Sequence, residues 1–172
     1  MKIYLRPVTS KDGGIIVKWR NSNVVRNHCF DKRLITEESN LEFYKEFVEK
    51  GKYKQFIVER IDDAVGAASY AIATVYLKDM DITNKRCELC IFTSNDEEWN
   101  SESQELAINI IINKAFEEYG IHKIYTYVFV DNENEITLMK KCGFKIESLM
   151  EKEAIDLSGN YKDVYRLIII NE

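Results

Sequence analysis

Glu88 is the side chain in this chain with most to offer chemically. It stands in Arg86-Cys87-Glu88-Leu89-Cys90-Ile91-Phe92, a run whose apolar neighbours read as a strand. A carboxylate buried in a sheet is costly unless it is paired or protonated. Desolvation raises its pKa, which suits a base that takes a proton from an ammonium, directly or through water. The alternative is a structural ion pair with Arg86 or an arginine of the first helix. Cys87 and Cys90 in the same run spell C-x-x-C. Zinc would want a second pair or ligand-spaced histidines, and the chain has only His28 and His122. Strand positions three apart face opposite sides, so buried strand cysteines are expected, and no metal.

The elements that must position Glu88 belong to one domain spanning 1–172, since 172 residues is near the usual domain size. Hydrophobic residues make up 45% and charged residues 31%, inside the globular range. The net charge of −5 supplies no field for nucleic-acid phosphates. The opening Met1-Lys2-Ile3-Tyr4-Leu5-Arg6-Pro7 has no apolar core of a signal peptide, and no run reaches membrane-span length. A cytoplasmic protein with reduced cysteines, no membrane contact and no nucleic-acid partner is expected.

Ile3–Leu5 reads as a strand, and Ser10 as the cap of a helix through Trp19 to about Val25. Thr36 caps a second helix that ends near Gly51. Gln55–Arg60 and Val65–Leu77 are strands around the turn residues Asp62-Asp63, the second long and rich in small residues, hence bent or bulged. Arg86–Phe92 is the next strand. Ser101–Tyr119 is the clearest helix, with Ala107, Ile108, Ile111, Ile112, Ala115 and Phe116 on one face. Lys123–Val130 (strand), Glu133–Lys141 (helix), Phe144–Ala154 (strand) and Tyr161–Ile170 (strand) follow, the last two joined at Ser158-Gly159-Asn160. A strand, long helix and strand in mid-chain imply a right-handed parallel crossover inside an otherwise antiparallel sheet. The fold class is α/β (α+β), a mixed sheet of about six or seven strands with helices on both faces.

That order, joined to a set of short motifs, resembles the GNAT N-acetyltransferase family, and within it the RimJ/RimL-like branch. The motifs are Leu5-Arg6-Pro7, Trp19-Arg20-Asn21 with Arg26, Phe56-Ile57-Val58-Glu59, Val65-Gly66 and the Glu88 strand. Ala115 to Ile124 is similar to the branch's helix-to-strand junction. Asn132, Leu138, Lys141 and Gly143-Phe144 keep an N-x(5)-L-x-x-K-x-G-F tail, and Gly159-Asn160-Tyr161-Lys162-Asp163 resembles a terminal G-x-Y-x-D hairpin.

The resemblance implies acetyl transfer from acetyl-CoA to a primary amine: a protein N-terminus, a nucleotide-linked amino sugar, or a small polyamine or antibiotic. It places acyl-CoA between the Glu88 and Tyr125 strands, with pantetheine along Cys90, Ile91, Phe92 and Thr93. Pyrophosphate falls near Trp99, Asn100, Ser101, Ser103 and Gln104, with Asn132 and Met139 on the coenzyme's other side. Trp19, Arg20 and Arg26 border the acceptor, where an arginine can hold an anionic group. Two departures stand out. The family's glycine-rich coenzyme loop is here Trp99-Asn100-Ser101-Glu102-Ser103-Gln104-Glu105, without a glycine and beside Glu97 and Glu98. Glycines let backbone N–H groups converge on a pyrophosphate, and side chains obstruct that approach. The tyrosine many relatives use as general acid is Met139 here, and the branch's serine is Glu135. An ordinary carboxylate is ionised at neutral pH and a poor acid unless its pKa is raised. Tyr125 or Tyr127 is the expected substitute. A binding module with a degenerate coenzyme loop is the alternative function, and a homodimer paired through the edge of Tyr161–Ile170 a third reading.

Overall fold

The computed structural model describes residues 2–62 and 68–172. The expected Val65-Gly66 strand opening, and Asp63 of the expected turn, lie outside the described residues. Seven strands form one sheet in the order β1-β2-β3-β4-β5-β7-β6. They are β1 (Lys2–Pro7), β2 (Lys54–Asp62), β3 (Ala68–Asp81), β4 (Arg86–Phe92), β5 (Lys123–Phe129), β6 (Lys145–Ile155) and β7 (Tyr161–Ile170). All neighbours are antiparallel except β4 and β5. That parallel pair is joined by α4 (Ser101–Asn113), whose last turn widens into a π-helix over Lys114–Glu118. Gly120 closes the crossover at φ 65°, a left-handed conformation that glycine adopts without a Cβ clash.

α4 packs Ala107, Ile108, Ile111 and Ile112 on one face of the sheet, against Val75, Leu77, Leu89 and Ile124. α5 (Glu133–Lys141) adds Leu138 and Met139 to the same core. The opposite face carries α1 (Gly13–Arg20), α2 (Asn23–Asn27) and α3 (Glu37–Phe43), with a smaller core of Val8, Ile16, Trp19 and Ile57. Helices on both faces follow from β4, whose residues are buried from either side.

The long third strand is bulged, as its length and small residues suggested. Val58 pairs with Ala73 and Glu59 with Ala71, so Ile72 is an extra residue. A second irregularity follows Lys78, where Asp79 takes φ 51° before pairing resumes at Asp81 and Arg86.

Two expectations are corrected. The first helix is not continuous to Val25. Thr9, not Ser10, caps a short 3-10 turn, α1 ends at Arg20, and Ser22 caps α2 by accepting from the Val25 N–H at 3.4 Å. The Asn21 amide bonds both backbone groups of Ile35, at 2.8 and 2.9 Å, which pulls the chain out of helix. β7 is not an edge. It lies between β5 and β6, so its backbone is paired on both sides, and the sheet's edges are β1 and β6.

Candidate active site

The sheet opens where the parallel pair parts. β4 and β5 pair only from Arg86↔Lys123 to Glu88↔Tyr125. One residue later the Thr126 hydroxyl, not a backbone N–H, donates to the Leu89 carbonyl at 2.9 Å. Backbone groups alternate sides along a strand, so Ile91 turns its N–H and C=O toward the same opening. A cavity of about 520 Å³ fills this cleft. Its apex is Glu88 with Lys78, one wall is Cys90–Thr93 of β4, and the other is Asn132, Glu135 and Leu138 of α5.

Glu88 is only 6% exposed. Lys78, directly opposite in the β3 register, approaches its Oε2 at 3.3 Å. Burial pushes the Glu88 carboxyl above its usual range, and the Lys78 ammonium pulls it part of the way back. Burial works against the Lys78 ammonium, but the Glu88 carboxylate beside it holds it firmly protonated. Tyr76, beside Cys90 in register, and Phe92 continue this face toward a second, adjoining cavity.

That second cavity, of about 410 Å³, runs under α1 and α3 and is lined by Arg20, Asp31, Arg33, Phe43, Tyr53 and Lys78 among others. Arg20, Asp31, Tyr76, Lys78 and Phe92 line both cavities, so the two communicate. The Arg20 guanidinium is 7% exposed, with Nη2 donating to the Asp31 carbonyl and the group lying 5.9 Å from the Phe92 ring centre. Its Nη1 is buried with no hydrogen-bond partner. Arg33 grips the Asp31 carboxylate with two bonds, at 3.0 and 2.8 Å, and holds its pKa down to about 2.

Of the residues the sequence nominated, Glu88, Cys90, Ile91, Phe92, Thr93, Gln104, Asn132 and Arg20 come together on these walls. Others do not. Trp19 is core, packed with Val8, Ile16 and Ile57. Arg26 donates from Nε to the Lys32 carbonyl at 2.9 Å and pins its own loop. Met139 is wholly buried between α5 and the sheet, and Trp99 is core at 4% exposure. Tyr125 shares Glu88's level but lies outside the cavity lining, its ring 4.1 Å beneath the Arg166 guanidinium. Ser101 is exposed off the cavity, and Ser103 is buried with its hydroxyl donating to the Glu98 carbonyl at 2.6 Å.

The start of α4 is occupied by its own chain. The Asn100 side chain accepts from the Glu102 and Ser103 N–H groups, at 3.1 and 3.2 Å, and Gln104 donates to the Trp99 carbonyl at 2.9 Å. An anion there competes with Asn100 for donors a glycine would leave free. Lys78 and Tyr76 were not nominated. The strand pairing that sets Lys78 opposite Glu88 passes through a bulge, and a lone sequence does not reveal the register.

A family model described as acetyltransferase (GNAT) domain matches residues 5–165. The spermidine N(1)-acetyltransferase of Vibrio cholerae is 24% identical over 169 residues, covering 98% of this chain and 93% of the relative. Acetyltransferase PseH of Campylobacter jejuni is 25% identical over 139 residues, covering 81% and 80%. Among solved structures, the Vibrio cholerae spermidine N-acetyltransferase in complex with CoA and spermine superposes with a TM-score of 0.87, at 24% identity, over 98% of this chain and 95% of the other.

Proposed function

The chain belongs to the GNAT acetyltransferase family, and from that premise we propose that it acetylates the primary amine of a small molecule that also carries an anionic group. It is an N-acetyltransferase with acetyl-CoA as co-substrate. The Arg20 Nη1, buried without a partner where the two cavities meet, carries the acceptor reading. A buried cationic donor left unsatisfied is expensive, and a carboxylate or phosphate oxygen satisfies it. Arg20, Arg33 and Lys78 line the acceptor side, where Arg33 neutralises Asp31 and Lys78 pairs with Glu88, which leaves the Arg20 charge in excess. A polycation such as spermidine would meet net repulsion there, whereas a nucleotide-linked amino sugar or an amino acid would not. Tyr53, Tyr76 and Phe92 offer ring faces for the neutral part of such an acceptor.

In this reading Glu88 takes the proton from the incoming ammonium, whose pKa of ~10 keeps it protonated at neutral pH. Lys78 opposes the pull of burial on Glu88 and favours its ionised form. The Ile91 N–H, turned into the cleft, stabilises the oxyanion as the amine adds to the thioester carbonyl. The placement near the RimJ/RimL-like branch rests on the Asn132-to-Phe144 tail and the Gly159–Asp163 hairpin. A cytoplasmic site of action is supported by four free cysteines, Cys29, Cys87, Cys90 and Cys142. The test is an acetylation panel of nucleotide amino sugars, amino acids and polyamines. Anionic amines should be acetylated with the higher kcat/KM, and Arg20→Gln should raise their KM at least tenfold while leaving polyamine turnover unmoved. Preference for polyamines, or an Arg20→Gln variant equally impaired on both classes, would reject the anionic acceptor.

A further inference from the structure

The reaction needs a second proton transfer. When the tetrahedral adduct collapses, the C–S bond breaks and its electron pair goes to sulfur. A thiol of pKa ~8.5 leaves more easily if a proton meets it in that step. Tyr125 is off the cavity, Tyr127 lines it with its hydroxyl accepting from Arg166 Nη1 at 3.1 Å, and the position of the usual tyrosine is the core residue Met139.

We propose that Glu135 is the general acid, delivering its carboxyl proton from the α5 wall of the cleft to the coenzyme sulfur as the C–S bond breaks. The proposal rests on the acetyl-transfer reading above. After the step Glu135 is a carboxylate, and solvent reprotonates it before the next turnover.

The geometry supports this in three ways. Glu135 lines the same cavity as Glu88 and Ile91 but from the facing wall, so base and acid flank a thioester lying along β4. Asn132 donates from Nδ2 to Glu135 Oε2 at 2.6 Å, which fixes the carboxyl and leaves its other oxygen to carry the proton. No cation contacts it among the described residues: its neighbours on the wall are Asn132, Asn134 and Leu138, while Arg20, His28, Asp31, Lys78, Glu88, Cys90 and Tyr127 line other sides of the cavity. Glu135 as a residue is half-buried, and desolvation of its carboxyl in the cleft wall lifts its pKa from the usual 4.5 to about 7. A carboxyl poised there is protonated often enough to serve as an acid at neutral pH, while the Lys78 ammonium favours the ionised form of Glu88.

The experiment pairs Glu135→Gln with two acetyl donors and a direct titration. With acetyl-CoA, kcat/KM should fall by roughly 10²–10³ while acetyl-CoA affinity by calorimetry stays within about threefold. The alkaline fall of the wild-type kcat/KM profile near the Glu135 pKa should flatten. With the acetyl thioester of thionitrobenzoate, whose thiolate needs no proton to leave, the variant's deficit should largely vanish. A deficit equal for both donors, undiminished activity with acetyl-CoA, or a leaving-group-dependent deficit in Tyr127→Phe instead would overturn the proposal. Difference infrared spectroscopy reads the acid without turnover: a protonated carboxyl band that titrates near neutrality and is missing in Glu135→Gln. Were the wild type inert toward every amine, the acetyl-transfer reading would fall, while the presence or absence of that band still decides the ionisation of Glu135.

Discussion

Glu88 and Lys78 sit as an antiparallel pair at the cleft apex, and each alters what the other can do. Replacing Glu88 by glutamine keeps its shape and removes the proposed base. We expect kcat/KM to drop by about 10²–10⁴ at neutral pH, and the deficit to narrow in alkaline buffer, where free amine comes from solvent. A constant deficit across the pH range would assign Glu88 to structure. Glu135 makes a stability prediction with a definite sign. Its folded pKa, about 7, lies above the usual 4.5, so its neutral form contributes fully below 4.5 and that contribution is lost as pH rises through 7. The difference corresponds to about 3 kcal/mol at most. Denaturant titrations should therefore find Glu135→Gln gaining on the wild type between these pH values and holding a constant advantage above them. A pH-independent difference would mean that Glu135 is ionised in the fold throughout.

The closing of α5 and the parting of β4 from β5 are the elements that shape the walls. α5 ends in a Schellman motif: the Gly143 N–H donates to the Lys140 carbonyl at 3.1 Å and the Phe144 N–H to Met139 at 3.0 Å. Gly143 has φ 96°, and a Cβ there would lie 3.1 Å from Ile169 Cδ1. Gly143→Ala should cost about 1–3 kcal/mol in chemical denaturation. Glycine after Lys141 and Cys142 stops a helix, and so gave notice of this end from local residue types alone. The opening itself gave none. It depends on Thr126 bonding the Leu89 carbonyl, a side-chain contact across 37 residues. Thr126→Val should lose about 1 kcal/mol of stability and raise the KM for acetyl-CoA, measured by melting and steady-state kinetics. An unchanged KM would show that the ladder ends at Glu88 without that bond.

Across the whole molecule, a net charge of −5 and an acidic loop face an anionic co-substrate. Glu98 is compensated by Arg60, which leaves Glu97 and Glu102, both exposed, near the start of α4. Neutralising both, as Glu97→Gln with Glu102→Gln, should tighten acetyl-CoA severalfold at low salt. The gain should disappear at ~1 M salt, where the Debye length is about 3 Å. Equal gains at both ionic strengths would point to loop conformation rather than charge. Saturating acetyl-CoA at ~100 Kd should add ~2.7 kcal/mol to the wild type, read as a melting shift.

Periodicity and punctuation in the sequence determined nearly every element. The bounds of β4, α5 and β7 follow from local apolar spacing and turn residues alone, and the strand-helix-strand order imposed the parallel crossover. These signals are short-range, and they do not depend on what lies across the sheet. The same locality explains the misses. Trp19, Trp99 and Met139 are residue types that serve cores and binding sites equally, and only packing put them inside, Trp19 beneath α1 and the other two beneath α4 and α5. β7 became interior because β6 returned to its far side. Glu135 looked like a poor acid in sequence, for a carboxyl's pKa is set by its surroundings. Tertiary structure supplied those surroundings: a wall without a cation, an amide from Asn132, and enough burial to hold the proton.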